Sequence, residues 1–170
     1  MRRSLLLLLL CTIAFEGICR PCYGYFEDDS ARVAQDFVEV QNEARAVVGL
    51  PPLQWNTQLA NYARWWAAQN AIYGDCRLRH SGGPYGENIF WGNGKDWSPY
   101  DAASDWADEK RWYNYWANSC LFYDACGHYT QIVWRDTRYV GCARVTCNDG
   151  NIFMTCNYYP PGNYIGQRPY

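Results

Sequence analysis

The chain of 170 residues has no cluster of basic side chains, and this absence limits the partners it can bind. It carries 15 Lys and Arg residues against 17 Asp and Glu residues, a formal net charge of −2, so we expect no nucleic-acid partner. Charged residues make up only 19% of the chain and hydrophobic residues 49%, which excludes a disordered polypeptide. Beyond the first 24 residues no apolar run reaches the roughly 20 residues of a membrane-spanning helix. We therefore expect one folded domain without a transmembrane segment.

The sequence also lacks the common zinc-binding motifs. It has only two histidines, and no His-Glu-x-x-His segment is present, which excludes the helical metalloprotease arrangement. No two cysteines after residue 24 are separated by two residues, so the spacing gives no support to a cysteine-based zinc site. Aromatic residues, in contrast, are abundant: nine Trp and 15 Tyr at this length predict a large core and flat recognition surfaces.

The N-terminus has the features of a secretory signal peptide. Two arginines precede the unbroken apolar run Leu5–Leu10, and such a basic start followed by a short apolar stretch is typical of a cleaved leader. A cut after Gly24 would remove residues 1–24 and leave a mature domain of residues 25–170. A cut after Cys19 also satisfies the preference for small residues before the cleavage site. In either case we expect a secreted, extracellular protein.

The number of cysteines depends on that cut. The whole chain has nine, an odd number, but removal of residues 1–24 leaves six, and an even number in an oxidising compartment predicts three disulfides. The alternative cut would leave Cys22 as a seventh cysteine. The six cysteines of the shorter mature chain are Cys76, Cys120, Cys126, Cys142, Cys147 and Cys156.

Six cysteines allow 15 pairings, and the sequence alone does not choose among them. A β-hairpin is nevertheless predicted near the C-terminus, and a turn centred on Asp149 places residue 142 directly opposite residue 156. Opposed residues of two strands lie close enough for a disulfide, which favours Cys142–Cys156. The pairs that then remain would be Cys120–Cys126, which closes a short loop, and Cys76–Cys147.

Apolar periodicity and turn residues predict helices in the first half of the chain and a hairpin near its end. The glycine-rich stretch between them contains one short strand. We therefore expect a single α+β domain in which helices pack against an antiparallel sheet. The predicted elements are helices at 28–48, 57–73 and 98–112, a helical turn at 128–133, and strands at 88–91, 139–146 and 152–158.

Two histidines and two glutamates form the candidate polar site. His80 opens the glycine-rich stretch, and Glu87 follows seven residues later. Glu109 lies on the third predicted helix, and His128 opens the helical turn. Two imidazoles and a carboxylate could bind a zinc-like ion and leave one position for water, with a second carboxylate as general base. The alternative is that the four side chains bind one another for structural reasons, and spacing alone favours this alternative.

Four blocks of sequence carry a resemblance to a known family. The chain resembles the CAP superfamily of secreted proteins, and within it the plant pathogenesis-related protein 1 family, over essentially the whole mature domain. The second and fourth blocks together are highly specific. The blocks are His80-Ser81 with Gly86-Glu87-Asn88, the segment Gly127–Trp134 (GHYTQIVW), Val140–Ala143 (VGCA), and Cys156–Tyr164 (CNYYPPGNY).

This resemblance implies a three-layer α-β-α sandwich with the same three disulfide pairs. It implies a central cavity that contains His80, Glu87, Glu109 and His128, in which some relatives bind zinc through the histidines. No cofactor is required, and because the family is not known for a shared reaction, we expect a protein that is not an enzyme. The alternative is a metal-dependent, protease-like hydrolase that uses the same cavity.

The resemblance also implies a plant defence protein of the apoplast. Relatives act against fungi and oomycetes, and their proposed mechanism is the binding of sterols from pathogen membranes. The segment implicated in sterol binding corresponds here to residues 131–142, with Gln131, Trp134 and Tyr139 as candidate contacts. Aromatic residues suit a flat sterol, but such residues are more often part of the core. We expect a monomer.

A second activity is implied for the C-terminus. Relatives release a C-terminal peptide that acts as a defence signal, and residues 160–170 match its pattern, with the cut expected between Tyr159 and Pro160 by an unidentified protease. An extended proline-rich tail offers the accessible backbone that cleavage requires. The alternative is that the tail packs on the sheet as a structural lid, and the two roles are compatible.

Overall fold

The computed structural model describes residues 30–73, 76–121 and 126–170. The predicted leader, residues 1–24, lies outside them, as do the first residues of the predicted first helix. No helix in these three described ranges is long and apolar enough to cross a membrane. The elements are α1 (Ser30–Val47), β1 (Gln54–Trp55), α2 (Thr57–Tyr73), β2 (Gly86–Gly92), α3 (Pro99–Asp108), a 3₁₀ turn (Glu109–Trp112), β3 (Tyr113–Asn114), β4 (Ser119–Cys120), α4 (Gly127–Ile132), β5 (Tyr139–Thr146) and β6 (Ile152–Tyr159).

The main sheet has four strands in the order β1-β5-β6-β2. The predicted hairpin is present: β5 and β6 run antiparallel, and residue 142 lies opposite residue 156, as the turn geometry predicts. The sheet is mixed rather than purely antiparallel, because β1 pairs with β5 in parallel. The two-residue strand β1 was not predicted, since two residues are too short for a period of two to be visible.

Both faces of the hairpin are buried, and all residues of β6 except Tyr159 are buried. Successive side chains point to opposite faces. Even-numbered residues such as Met154 and Tyr158 pack in the larger core cluster with Phe37 and Trp106. Odd-numbered residues such as Phe153 pack in a second cluster beneath α2.

The helices therefore form a layer on each side of the sheet. α2 contacts β5 and β6 on one face, and α1, α3 and α4 contact one another and the opposite face. This arrangement confirms the α+β fold and the three-layer α-β-α sandwich. The predicted inner stripe of α2 is buried throughout; it consists of Leu59, Ala63, Trp66 and Asn70.

The third predicted helix consists of two parts. α3 begins with a capping box in which Ser98 and Asp101 bond each other's backbone, and Pro99 occupies the first helical position. The α-helix ends at Asp108 and continues as the 3₁₀ turn, so Glu109 lies at a change of helical geometry rather than within a regular helix. A second small hairpin, β3 with β4, follows that turn and was not predicted.

Three disulfides are present in the described part of the chain, one within the main sheet, one between α2 and the sheet, and one beside α4. Cys142–Cys156 joins opposed residues of β5 and β6, with a Cα–Cα distance of 4.0 Å. Cys76–Cys147 joins the end of α2 to the end of β5, and Cys120–Cys126 spans six residues. These are the three pairs that the hairpin register and the family resemblance predict.

Arg45 fastens the end of α1 to the segment after α4. Its side chain is fully buried, and its guanidinium donates to four backbone carbonyls. Burial lowers the pKa of Arg45 to about 10, helped by the nearby charge of Arg138, so Arg45 remains charged at neutral pH. The acceptors are the carbonyl oxygens of Pro51 at 2.7 Å, Ile132 and Trp134 at 2.9 Å, and Thr137 at 3.1 Å.

Candidate functional site

The first half of the candidate polar site is a pair formed by His80 and Glu87. Glu87 is the second residue of β2, and its Oε1 lies 2.7 Å from Nδ1 of His80. The same oxygen accepts the backbone N–H of Ser81 at 2.9 Å, while Oε2 accepts the side-chain amide of Asn157, its cross-strand partner, at 3.2 Å. The Glu87 side chain is only 6% exposed, whereas that of His80 is 60% exposed.

This pairing shifts the pKa of both groups in the direction of an ion pair. The hydrogen bond with Glu87 raises the pKa of His80 above its ordinary value, although partial burial opposes the change. Burial by itself would raise the pKa of Glu87, but the hydrogen bonds from His80 and Ser81 outweigh it and the pKa is lowered. Glu87 is therefore an ionised acceptor, and His80 is protonated over a wider pH range than a free histidine.

The second half is a pair formed by Glu109 and His128. Oε1 of Glu109 lies 2.6 Å from Nδ1 of His128, and Oε2 accepts the backbone N–H groups of His128 at 2.9 Å and of Tyr129 at 3.2 Å. The indole of Trp106 stacks on the imidazole with 5.9 Å between ring centroids. The carbonyl of His128 accepts the side-chain amide of Asn88 at 3.1 Å, which ties α4 to β2.

Each histidine therefore has its Nδ1 bound to a carboxylate, and only Nε2 remains for a metal. A carboxylate on the second nitrogen is the usual way in which proteins orient metal-binding histidines. However, no three His, Cys, Asp or Glu side chains within the described ranges form a group that could hold a metal ion. The residues as they stand do not form a three-ligand zinc centre, and zinc binding stays a prediction.

A cleft of about 330 Å³ opens beside the first pair. His80 and Glu87 line it together with Gln131, and Glu109 and His128 are not among its lining residues. His80 and Glu87 thus lie at the cleft, while Glu109 lies on the 3₁₀ turn and His128 on α4. The remaining lining residues are Ser81, Gly82, Gly83, Tyr85, Gly86, Gly162 and Asn163.

A second cleft, of about 380 Å³, has aromatic walls and is called the aromatic cleft below. Tyr113, Trp134 and Tyr164 contribute rings to it, and Tyr164 packs against Trp134 with 6.0 Å between centroids. Polar residues that line it include Thr130 and Asn118. The other lining residues are Ser119, Cys120, Cys126, Gly127, Asn163, Gly166, Gln167 and Pro169.

The three predicted sterol contacts occupy different places. Gln131 lies in the first cleft and Trp134 in the aromatic cleft, and both side chains are at most 2% exposed. Tyr139 is 38% exposed at the start of β5, opposite Tyr159, and lines neither cleft. Gln131 and Trp134 approach each other at Gly162, where a Cβ atom would lie within 2.9 Å of both.

The predicted cleavage site lies at the end of β6. Tyr159 is 52% exposed, but its carbonyl accepts the backbone N–H of Arg138 at 3.0 Å. The carbonyl of Pro160 accepts the hydroxyl of Thr137 at 2.9 Å. The tail beyond is mostly exposed and has no regular secondary structure, yet it contacts the domain along its length.

Several residues of the site were not predicted. Asn88 and Asn157 are buried amides in strands, and the indications of a special role were their polar character among apolar residues and their place in the blocks that carry the family resemblance. Trp106 lies three residues before Glu109, so helical spacing placed both on one face, but its stacking on His128 depends on the packing of α3 against α4.

Comparison with known proteins places this geometry in a family. Residues 38–158 match the family model described as "CAP: Cysteine-rich secretory protein family". "Pathogenesis-related protein PR-1" of Medicago truncatula is 59% identical over 135 residues, which is 79% of this chain and 77% of the relative. "Pathogenesis-related protein PRMS" of Zea mays is 52% identical over 166 residues, 96% of this chain and 95% of the relative.

Solved structures have the same fold. The Schistosoma mansoni venom allergen-like protein 4 is 26% identical, with a TM-score of 0.61 over 84% of this chain and 94% of that chain. A structure described as NaASP2 with Zn²⁺ is 24% identical, with a TM-score of 0.64 over 88% of both chains. The second likeness concerns the fold alone.

Proposed function

Because the chain belongs to the cysteine-rich secretory protein (CAP) family, we propose that it is a secreted plant defence protein that binds sterols of pathogen membranes. Sterol sequestration in the apoplast would inhibit fungi and oomycetes, and residues 160–170 would be released as a signalling peptide. The plant relatives are named for pathogenesis rather than for a reaction, which supports a role in binding and not in catalysis.

The aromatic cleft is the observation that carries the sterol proposal. Its volume of about 380 Å³ falls within the range of roughly 300–1,000 Å³ typical of small-molecule sites. Aromatic rings from Tyr113, Trp134 and Tyr164 offer flat apolar walls, and the few polar residues in the lining suit a single sterol hydroxyl. Trp134 supports the wall from a buried position, and Tyr164 forms its exposed edge.

A fluorescent ergosterol analogue titrated into the full mature protein tests this proposal. We expect saturable binding that persists in the presence of a chelator, since the cleft walls do not depend on a metal. Tyr164→Ala removes an exposed wall ring and should raise the Kd about tenfold, the equivalent of about 1.4 kcal/mol. Failure of the wild-type protein to bind would overturn the proposed mechanism.

Two control variants locate the site. Tyr100 is an exposed aromatic residue on α3 that lines neither cleft, so Tyr100→Ala should leave the Kd unchanged. Tyr139 lies in the segment that the family resemblance implicates but outside the aromatic cleft. If Tyr139→Ala raised the Kd and Tyr164→Ala did not, the sterol site would lie at the start of β5 and not in the aromatic cleft.

Release of residues 160–170 requires its own test. Full-length mature protein incubated with extracellular fluid from infected leaves should yield a fragment that begins at Pro160, detected by mass spectrometry. Tyr159→Gly, at a half-exposed position at the end of β6, tests whether the protease reads the residue before the cut. Fragments that begin only elsewhere would contradict the proposed cleavage site.

The metal-dependent hydrolase is the second candidate, and the two histidine–carboxylate pairs are the observation that favours it. One structural neighbour is described with Zn²⁺, although that likeness extends only to the fold. Calorimetric titration with zinc, followed by peptide and ester assays, tests it. Turnover that zinc stimulates and His128→Ala abolishes would support the hydrolase and contradict a purely binding role.

A further inference from the structure

Residues 160–170, called the tail below, are held by the domain as a bound peptide would be. Near the cut site, Thr137 donates its hydroxyl to the carbonyl of Pro160 at 2.9 Å. The backbone N–H of Gly162 donates to the side-chain oxygen of Gln131 at 3.0 Å. Both Thr137 and Gln131 are buried. The donor hydroxyl of Thr137 and the acceptor oxygen of Gln131 are therefore held in place by the domain and are not mobile surface groups.

Asn163 makes the most specific contact of this half. Its side-chain oxygen accepts the hydroxyl of Thr130 at 2.7 Å, and its side-chain nitrogen donates to the carbonyl of Gly127 at 2.9 Å. Gly162 is equally specific for a steric reason: a Cβ atom there would lie 2.7 Å from Trp134 and 2.8 Å from the Gln131 amide. The domain therefore favours a Gly-Asn pair, because a side chain at the first position would overlap the domain and the asparagine side chain makes two hydrogen bonds with it.

The last residues of the tail are anchored independently. The backbone N–H of Arg135 donates to the carbonyl of Pro169 at 2.6 Å, and Asn118 donates its amide to the carbonyl of Gln167 at 3.1 Å. The ring of Tyr170 stacks on that of Tyr115, with centroids 5.1 Å apart and an interplanar angle of 20°.

Further contacts at the C-terminus fix the same end. Tyr170 also meets Tyr113 edge-on at 6.1 Å, and its hydroxyl lies 3.3 Å from that of Tyr129. Arg168 donates to the carbonyl of Trp116 at 3.1 Å. Between the two anchored ends, Tyr164 packs on Trp134, while the side chain of Ile165 is fully exposed.

We propose that the groove formed by α4, the segment 134–137 and the β3–β4 hairpin is a peptide-binding site specific for the tail. The disulfide Cys120–Cys126 joins β4 to the start of α4, and Arg45 binds carbonyls of the segment 134–137, so the walls of the groove are held in place. The proposal rests on the proposed release of the tail for its biological consequence. A cut after Tyr159 then leaves the peptide bound, and dissociation from the groove sets the rate at which free signal appears.

Competition with a free peptide tests this in the full chain. The probe is a synthetic peptide of residues 160–170 carrying a fluorophore on Ile165→Lys, a position that is fully exposed. Wild-type protein should bind it weakly, because its own tethered tail occupies the groove at an effective concentration on the order of millimolar. The double variant Arg168→Ala, Tyr170→Ala weakens the tethered tail and should bind the probe at least tenfold more tightly.

Two matched controls test whether the difference in probe binding arises from the groove. Ile165→Ala in the protein should bind the probe as weakly as wild type. A probe carrying Gly162→Ala should not bind the double variant, because the added methyl group overlaps Trp134 and Gln131. Equal binding of the probe to wild type and double variant, or equal binding of the Gly162→Ala probe, would overturn the proposal.

Hydrogen exchange of the wild-type protein gives a second test that does not depend on the folding of a variant. The amide hydrogens of Gly162 and Arg135 bond across the groove, so undocking exposes both. Both should exchange faster than the β5–β6 amides, because undocking of either end leaves the sheet intact. If the amides of Gly162 and Arg135 exchanged as slowly as those of the sheet, the tail would open only when the whole domain unfolds, which would contradict the proposal.

The outcomes for release and for docking are distinguishable. If extracellular fluid produces no fragment beginning at Pro160, the release function fails, while binding of the probe still establishes the groove. If the fragment forms but leaves the nicked protein at once on gel filtration, the groove fails and the release function stands.

Discussion

Glu109 binds His128 through both carboxylate oxygens: Oε1 lies 2.6 Å from the imidazole Nδ1, and Oε2 accepts the backbone N–H of the same residue at 2.9 Å. The second bond caps the N-terminus of α4, whose own N-cap residue, Cys126, makes no side-chain hydrogen bond. The sequence indicated Glu109 as a candidate for metal binding or catalysis. Its role in joining the 3₁₀ turn to α4 is enough to explain its contacts.

Replacement of Glu109 should therefore lower stability whatever ligand the protein binds. Glu109→Ala removes three hydrogen bonds from a mostly buried carboxylate and should reduce the free energy of unfolding by about 2 kcal/mol. Glu109→Gln keeps a neutral acceptor and should cost about half as much. Urea denaturation measures both, and equal stability of Glu109→Ala and wild type would contradict the capping role.

Arg45 is a buried cation satisfied by carbonyl groups, and its loss should be severe. Arg45→Met fills part of the volume but removes four hydrogen bonds to carbonyl oxygens, so we expect a loss of about 4 kcal/mol. The carbonyls of Trp134 and Thr137 keep a second donor, whereas those of Pro51 and Ile132 lose the donor that Arg45 provides. Arg64→Met, on the partly exposed side of α2, is the matched control and should change stability by no more than about 0.5 kcal/mol. Urea or thermal denaturation measures the two variants, and similar losses in both would refute this assignment.

The His80–Glu87 pair makes stability depend on pH within a defined window. The contribution of His80, whose pKa is raised from 6.5, is complete below pH 6.5 and is lost as pH rises through the raised value. The contribution of Glu87, whose pKa is lowered from 4.5, is complete above pH 4.5 and is lost as pH falls through the lowered value. The difference in unfolding free energy between wild type and Glu87→Gln should therefore be largest between pH 4.5 and 6.5.

Denaturation from pH 3 to 9 measures that difference. Because the His80 side chain is 60% exposed, solvent screening keeps the effect small, and NMR titration of the His80 ring is the more sensitive reading. Glu87→Gln should lower the pKa of His80 towards 6.5. Glu43→Gln, an exposed carboxylate on α1, is the control, and an unchanged His80 titration in Glu87→Gln would count against the pair.

Gly141 of β5 lies directly against the backbone at the start of α2. A Cβ atom at this position would lie 2.2 Å from the backbone nitrogen of Ala60 and 2.6 Å from the carbonyl oxygen of Asn56. Since backbone atoms cannot give way as a flexible side chain does, Gly141→Ala should cost about 3 kcal/mol. Gly127→Ala, at a helical position where a Cβ meets nothing within 4 Å, should not destabilise. Thermal unfolding of both variants decides the matter.

The number of free thiols reports where the leader is cut. All six cysteines from Cys76 onwards form disulfides, so a mature chain that begins at Tyr25 should contain no free thiol. Alkylation followed by mass spectrometry of the secreted protein gives both the N-terminus and the thiol count. One free thiol would place the cut before Cys22.

The sequence predicted the regular elements well because their periodicity spans many residues. The bounds of α2 and β5 agree with the prediction, and β6 extends one residue further. The register of the hairpin follows from the turn at Asp149 and Gly150, and Gly150 has the positive φ of 82° that this turn requires. Short strands such as β1 escaped prediction, because their existence depends on a partner strand far away in the chain.

By itself, then, the sequence determined the family, the layer of helices on each side of a sheet, and the identity of the four polar residues. Only the tertiary structure decided that His80 pairs with Glu87 and His128 with Glu109, since spacing along the chain carries no distance between loops. It also decided that Gln131 and Trp134 are buried beneath the tail, and that the tail is docked at both ends. These outcomes depend on contacts between distant segments, and local pattern does not encode such contacts.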